Sequence, residues 1–472
     1  MPTDVRTSAD PRDQRLADLA AQVARLHAQL AARDARIAEL AAQLAAAQRA
    51  AHRQATPFAR RERKADPQKP RRKRGQGRFA RRATPTTVHV EQRVPLLVCP
   101  HCAGEVTDRA THEQFQVEIP PVEPVVTRFV TESGYCPACA KRVRATHPAQ
   151  ISTASGAAGV LLGPRVKALA ADLHHRLGLS YGKIADLLAE VCGVPVTRGG
   201  RCQADAQLAR LAAAIYDELV AAVRSSAVVH VDETGWRIGG LAAWLWVFTN
   251  QHRTVYTLAT SRGHEVGLNI LGQEFAGVLV ADCFVAYDAA ALRTWLQQKC
   301  VAHLLRELRE LAQTKRGAGQ AGLLELLALL RDALQLKAGA RELRAPEYEA
   351  AASAVEARLD RLIAGAVRSR DADRARLGRR WHKHRPEILR FLYWEELDAT
   401  NNQAERQLRP AVVTRKTGGC NRTNEGAAAH AIWMSVLATC RQRGLKILEY
   451  WIKLQQFGAT PPSLVPADRA SP

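Results

Sequence analysis

Three acids, Asp232, Asp282 and Glu405, carry the sharpest chemical signal in this chain of 472 residues. In AVVHVDETGW the run from Ala227 to Val231 is short and apolar, which predicts a buried strand with Asp232 at its carboxyl end. GVLVADCF repeats the arrangement, with Val278 to Ala281 leading into Asp282. An unpaired carboxylate is costly to bury, so an acid that finishes a core strand needs a donor or a cation beside it. Glu405 lies in NNQAERQLRP, where Asn402 three residues earlier gives a capping-box spacing and Arg409 offers an ion pair one turn on. Its company points further. Asn401, Arg406, Arg409, Arg415 and Lys416 crowd the same short helix and its exit, a set suited to a carboxylate facing a metal with cations gripping phosphates on either side. Three carboxylates converging from two strand ends and a helix can hold two Mg²⁺ (or Mn²⁺) ions roughly 4 Å apart for phosphodiester chemistry. Oxygen ligands favour those ions over zinc.

The elements that must position these acids follow from the flanking sequence. After Asp232, AWLWVF and TVYTLAT read as two strands joined in a hairpin at residues 250–253. A helical stretch near Glu265 to Leu271 precedes the strand that ends at Asp282. Residues 304–395 are mostly Leu-, Ala- and Arg-rich helix, an insertion between that strand and the helix of Glu405. Cys300 and His303 form a Cys-x-x-His step just before it and read as a buried structural pair, with a second metal site as the alternative. Trp236 either packs or contacts a base.

Upstream, Leu16, Leu19, Val23, Leu26, Leu30, Ile37, Leu40 and Leu44 alternate at spacings of three and four, interrupted only by Arg33, which predicts a self-associating coiled coil over residues 1–50. Residues 51–95 are a basic linker too poor in apolar side chains to fold alone. Residues 53–82 hold thirteen Lys or Arg against two acids, half of the net charge of +22. That excess, with Arg71, Arg72, Lys73 and Arg74 at its centre, suits salt-sensitive binding to a polyanion, and it is unlike a metabolic enzyme. Cys99-x-x-Cys102 and Cys136-x-x-Cys139 are separated by 33 residues and match a four-thiolate structural zinc ribbon over residues 96–147. FQVEIPPVEPVVTRFV between them reads as strands broken by prolines. The other six of the ten cysteines show no disulfide spacing, and no apolar run is long enough for a membrane helix. Residues 150–226 read as a helical region: helices near 166–177 and 183–191 and one long helix over 203–223, with Ser180 capping the second in a helix-turn-helix-like opening.

The segments HVDETGW, LVADCFVAYD, KCVAHLLREL and NNQAERQLRPAVVTRKTGG, in this order, resemble the transposases of the insertion sequence 66 family, and the resemblance extends over nearly the whole chain. One departure from it is TRGGRCQADA, where a more regular recognition helix is expected. The resemblance implies a multidomain α/β protein whose ribonuclease H-like catalytic domain, residues 227–416 with the helical insertion, carries a DDE triad of Asp232, Asp282 and Glu405, followed by a C-terminal helical tail over 417–472. It implies a DNA transposase of a bacterial insertion sequence that binds the element's terminal repeats and catalyses strand cleavage and transfer with Mg²⁺ or Mn²⁺ and a structural Zn²⁺. Its partners would be double-stranded DNA, further copies of itself and accessory proteins of the same element, in the cytoplasm at the nucleoid. A ribonuclease H-like nuclease without strand transfer, and a non-enzymatic zinc-ribbon DNA-binding protein, are the alternatives.

Overall fold

The computed structural model describes residues 11–51, 82–456 and 463–465. The basic stretch with Arg71, Arg72, Lys73 and Arg74 lies outside them. The described residues fall into two units, one with residues 11–51, 128–185 and 196 onward, the other with 82–127 and 186–195. The first helix, α1 (Pro11–Ala51), leaves the apolar row from Leu16 to Leu40 in water, with Leu26 52% and Leu30 56% exposed.

Regular structure in the cysteine-bearing region is limited to a hairpin of β1 (Ser133–Cys136) and β2 (Lys141–Arg144). No strand forms over 110–132, contrary to the pattern read there. Pro120, Pro121 and Pro124 lack the N–H that a ladder needs, and Val125 and Val126 stay exposed. Four helices follow: α2 (Pro164–His175), α3 (Tyr181–Cys192), α4 (Arg198–Leu211) and α5 (Ala213–Arg224). The single long helix expected over 203–223 is thus two, broken at the fully buried Ala212. Ser180 Oγ accepts from Lys183 N at 3.4 Å, a long version of the anticipated cap.

The core is a five-stranded sheet of β3 (Val228–Ile238), β4 (Leu241–Thr249), β5 (Thr254–Ala259), β6 (Val278–Ala281) and β7 (Leu296–Lys299), in the order β5-β4-β3-β6-β7. The first three are antiparallel, whereas β6 and β7 run parallel to β3. The turn between β3 and β4 uses Gly239 (φ 58°) and Gly240 (φ 85°), the left-handed pair that a tight hairpin needs. Between β5 and β6 lies α6 (Glu265–Leu271).

Side chains sort by the two-residue period of the strands. Val229 and Val231 of β3, Trp246 and Phe248 of β4 and Leu279 and Ala281 of β6 share one core with α2, α4 and α5. Val278 and Val280 face the insertion, helices α7 (Val301–Thr314), α8 (Gly317–Ala338), α9 (Ala345–Val367), α10 (Ala372–Lys383) and α11 (Arg385–Ile388). Leu245 and Val247 pack on Ala404, Leu408 and Ala411 of α12 (Asn402–Gly418). Helices α13 (Asn424–Gln442) and α14 (Ile447–Gln455) follow. The expected boundary at 416 runs through packed structure: Trp433, Val436 and Leu437 of α13 belong to the first core. Along the edge strand, Ser435 Oγ accepts from Tyr256 N at 2.8 Å and Thr439 Oγ1 from Thr254 N at 3.1 Å, which satisfies an edge that would otherwise be open.

Candidate active site

Register decides where the first two acids sit. Val228, Val229 and His230 pair in parallel with Val278, Leu279 and Val280, and two residues further on Asp232 lies abreast of Asp282 at the carboxyl edge of the sheet. Asp232 Oδ1 accepts the backbone N–H of Glu233 and Asp282 Oδ1 that of Phe284, each at 2.9 Å. Among the described residues the second oxygen of each accepts no hydrogen bond.

Glu405 is brought to this edge by the start of α12. The capping box is not formed, because the N-cap residue is Asn401 and its side chain does not cap. Instead Asn401 is 1% exposed, donates from Nδ2 to the Val231 carbonyl at 2.6 Å and faces His230 Nδ1 at 3.3 Å. The Cys300 sulfur accepts from Asn401 N at 3.1 Å, and Cys300 N donates to the carbonyl of Ala281 at 2.8 Å. One buried asparagine therefore ties α12 both to the strand of Asp232 and to the segment after Asp282.

Glu405 forms no ion pair with Arg409 among the described residues, and its Oε1 is buried with no hydrogen-bond partner. His303 Nε2 stands 3.8 Å from it, and His303 Nδ1 is also unpartnered. Cys300, His303 and Glu405 bring ligand atoms within 4.8 Å of one another. The Cys300 thiol, with Asp282 and Glu405, raises the His303 pKa. Burial, together with the charges of Glu233, Asp282 and Glu405, pushes the Asp232 carboxyl up to about 7. Donor chemistry, the orphaned oxygen of Glu405 and the crowding of like charge all fit a divalent metal ion.

The remaining candidates divide. Arg406, Arg409 and Lys416 are exposed on α12. Arg415 turns inward, where its Nη1 bonds the carbonyl of Gly235 and donates to Thr234 Oγ1 at 3.2 Å. Trp236 is 4% exposed, donates from Nε1 to Asn421 Oδ1 at 2.9 Å and stacks on His430, so it packs and does not face a base. Cys99 and Cys102 belong to one unit, Cys136 and Cys139 to the other. Each pair makes the same local turn, with Ala103 (φ 57°) and Ala140 (φ 53°) in the left-handed region just after the second cysteine. Backbone N–H groups of His101 and Cys102 lower the Cys99 thiol, and those of Cys139 and Ala138 lower Cys136, which favours the thiolate that a metal binds. The sequence reading missed Glu233, Arg262 and Tyr287, a bonded set beside Asp232; the acidic pair Asp232-Glu233 was its one visible trace.

Comparison with known proteins adds two findings. The model of the IS66 transposase family matches residues 159–429. An uncharacterised protein of Sinorhizobium fredii, y4qI, is 26% identical over 238 residues, which is 44% of this chain and 42% of that protein. The chain thus spans about two fifths of the length of this curated relative.

Proposed function

The chain belongs to the IS66 family of transposases, and on that premise we propose that it cleaves the DNA ends of its element and joins them to target DNA with Asp232, Asp282 and Glu405 as the catalytic acids. The observation that carries the proposal is the parallel register that sets Asp232 abreast of Asp282, with the unpartnered Glu405 held to the same edge through Asn401. The strand order, three antiparallel strands followed by two parallel ones, supports a ribonuclease H-like core over residues 227–416 that includes the helical insertion.

In this reading Asp232, Asp282 and Glu405 would hold Mg²⁺ or Mn²⁺, which when bound would neutralise phosphodiester charge and lower the pKa of the attacking hydroxyl. Asn401 and the backbone N–H groups of Glu233 and Phe284 orient the acids. The exposed Arg406, Arg409 and Lys416 grip phosphates, and the basic stretch around Arg71, Arg72, Lys73 and Arg74 adds sequence-independent attraction. Nicking of an end-labelled duplex from the element's terminus in Mn²⁺, followed by appearance of a joined product, tests the activity. Hydrolysis with no joined product would leave a nuclease.

Two accessory assignments complete the proposal. The Cys-x-x-Cys pairs, on their spacing and the lowered thiols of Cys99 and Cys136, are zinc ligands in a module over residues 96–147. Elemental analysis should find one zinc per chain, and Cys99→Ser should lose it; reduced wild-type protein free of zinc would refute the site. The exposed apolar row of α1 supports a coiled coil between copies. Light scattering should show a smaller assembly when Leu26 and Leu30 are both replaced by Glu, and an unchanged mass would remove α1 from assembly.

A further inference from the structure

Arg262 follows β5 by three residues, and Ala259 at the end of that strand pairs with Trp244, which in turn pairs with Gly235 of β3. The loop therefore leaves the sheet at the edge that bears Asp232 and Asp282. There the guanidinium is immobilised. Nε and Nη2 both donate to Glu233 Oε1, at 2.9 and 2.7 Å. Its carbon lies 3.9 Å from the Phe284 ring centroid and 4.6 Å from that of Trp244. Tyr287 fixes the other side of the carboxylate by donating to Glu233 Oε2 at 2.9 Å. The Glu233 side chain is only 3% exposed, yet that of Arg262 is 40% exposed, and Nη1 has no hydrogen-bond partner among the described residues.

We propose that Arg262 is a binding residue for a DNA backbone phosphate at the edge that carries the three acids, an inference that rests on the transposase reading of that edge. A guanidinium held by a carboxylate on one side and by two aromatic faces presents its remaining donors outward in one orientation, which suits the fork geometry of a phosphate oxygen pair. Holding it in place beforehand removes most of the side-chain entropy that binding would otherwise cost. The electrostatics require a cation here. Asp232, Asp282, Glu405 and the buried Glu233 place four carboxylates where a polyanion must approach; Arg406 and Arg409 are exposed on α12 with Glu405, whereas Lys299 is fully buried against Asp288 and Glu387 and Arg415 bonds the Gly235 carbonyl, so Arg262 is the exposed cation held at Glu233. Arg262 cancels the charge of Glu233 and still offers open donors to solvent. A purely structural partner for Glu233 would need neither the exposure nor the free nitrogen.

The test uses the full chain and duplexes cut from the ends of the element that encodes it, with binding measured in EDTA so that no chemistry intervenes. Arg262→Met keeps the stem between Trp244 and Phe284 but removes the charge; its slope of log affinity against log salt should flatten by about one unit. Duplexes with a single methylphosphonate, scanned along both strands, should show one position that weakens wild-type binding and has no further effect on Arg262→Met. The double variant Arg262→Met with Glu233→Gln removes both charges, which keeps the test valid if the single variant unfolds, and it should show the same flattened slope and the same lost position. A wild-type slope and scan in the double variant would overturn the proposal and leave Arg262 as a structural partner of Glu233. Failure of the catalytic reading is separate: it would appear as wild-type cleavage by Asp232→Asn, whatever the binding slopes.

Discussion

Two aspartates of this chain, the buried Asp205 and the half-buried Asp232, meet opposite surroundings. Asp205 Oδ2 accepts from His175 Nε2 at 2.8 Å and from the Tyr181 hydroxyl at 3.1 Å, while Oδ1 accepts from Arg201 Nη2 at 3.1 Å. Burial alone would raise its pKa, but His175 and Arg201 hold it well below the usual carboxylate range. His174, His175 and Asp205 bring ligand atoms within 4.8 Å of one another, yet both carboxylate oxygens are already taken and a guanidinium supplies the positive charge. Asp232 has one backbone N–H and is ringed by acids, and its pKa is pushed up to about 7. The first acid is completed by the fold; the second is completed only by something added to it. That difference separates a carboxylate that builds the helical region from one proposed to do chemistry.

The largest expected effect comes from the incomplete site. Asp232→Asn, Asp282→Asn or Glu405→Gln should each lower single-turnover nicking by ~10³-fold or more, because the amide keeps the shape and loses the charge proposed to bind the metal. Melting temperatures should be near wild type. Undiminished nicking in any one variant would remove that residue from the triad.

At the completed site the effects should reverse. Asp205→Ala leaves Arg201 and His175 buried without their partner, so denaturant unfolding should show a loss of about 3–5 kcal/mol. Nicking per folded molecule should be retained. A stable Asp205→Ala protein that does not nick would place Asp205 in the chemistry and dissolve the contrast.

A smaller effect separates the two acids by pH. For Asp232 the folded-state pKa, about 7, lies above the ordinary 3.8, so the folded state binds the extra proton between those values and metal-free stability falls as pH rises through that window. The slope is at most about 1.4 kcal/mol per pH unit, and Asp232→Asn should flatten it. Asp205 has a depressed pKa, so its contribution is present above 3.8 and is lost as pH falls below it. Urea titrations from pH 4 to 8 check the first and their extension down to pH 2 the second; stability in metal-free protein that rises between pH 5 and 7 and is insensitive to Asp232→Asn would contradict the account of Asp232.

How much of this was legible in the sequence depends on how loudly each element announces itself. Val278 to Ala281 is apolar to the end, so β6 and Asp282 after it could be read directly, whereas the strand expected to end at Asp232 runs on to Ile238, because Asp232 to Ile238 pair with Leu241 to Val247 of β4. Strand β7 could not. Its LQQK is polar, and it is buried because Gln297 bonds the Tyr287 carbonyl, Gln298 that of Ile388, and Lys299 sits among Asp288, Glu387 and Gln297. Those partners lie up to ninety residues away, beyond any local pattern. Asn401 looked like part of a basic cluster, whereas its work is a buried bond to Val231 across 170 residues. Glu233 and Arg262 are likewise joined only by the sheet register. Local periodicity reports burial, but it does not report which distant polar group a side chain will meet.

The most direct test of the central claim is thermal melting of the full chain with and without Mn²⁺, since a ligand that binds only the folded state raises the melting temperature. Wild-type protein and Asp205→Asn should both gain several degrees, the second from a lower baseline, whereas Asp232→Asn, Asp282→Asn and Glu405→Gln should gain little or nothing. A full Mn²⁺ shift in the three triad variants, or its loss in Asp205→Asn alone, would contradict the assignment of the metal to the strand edge.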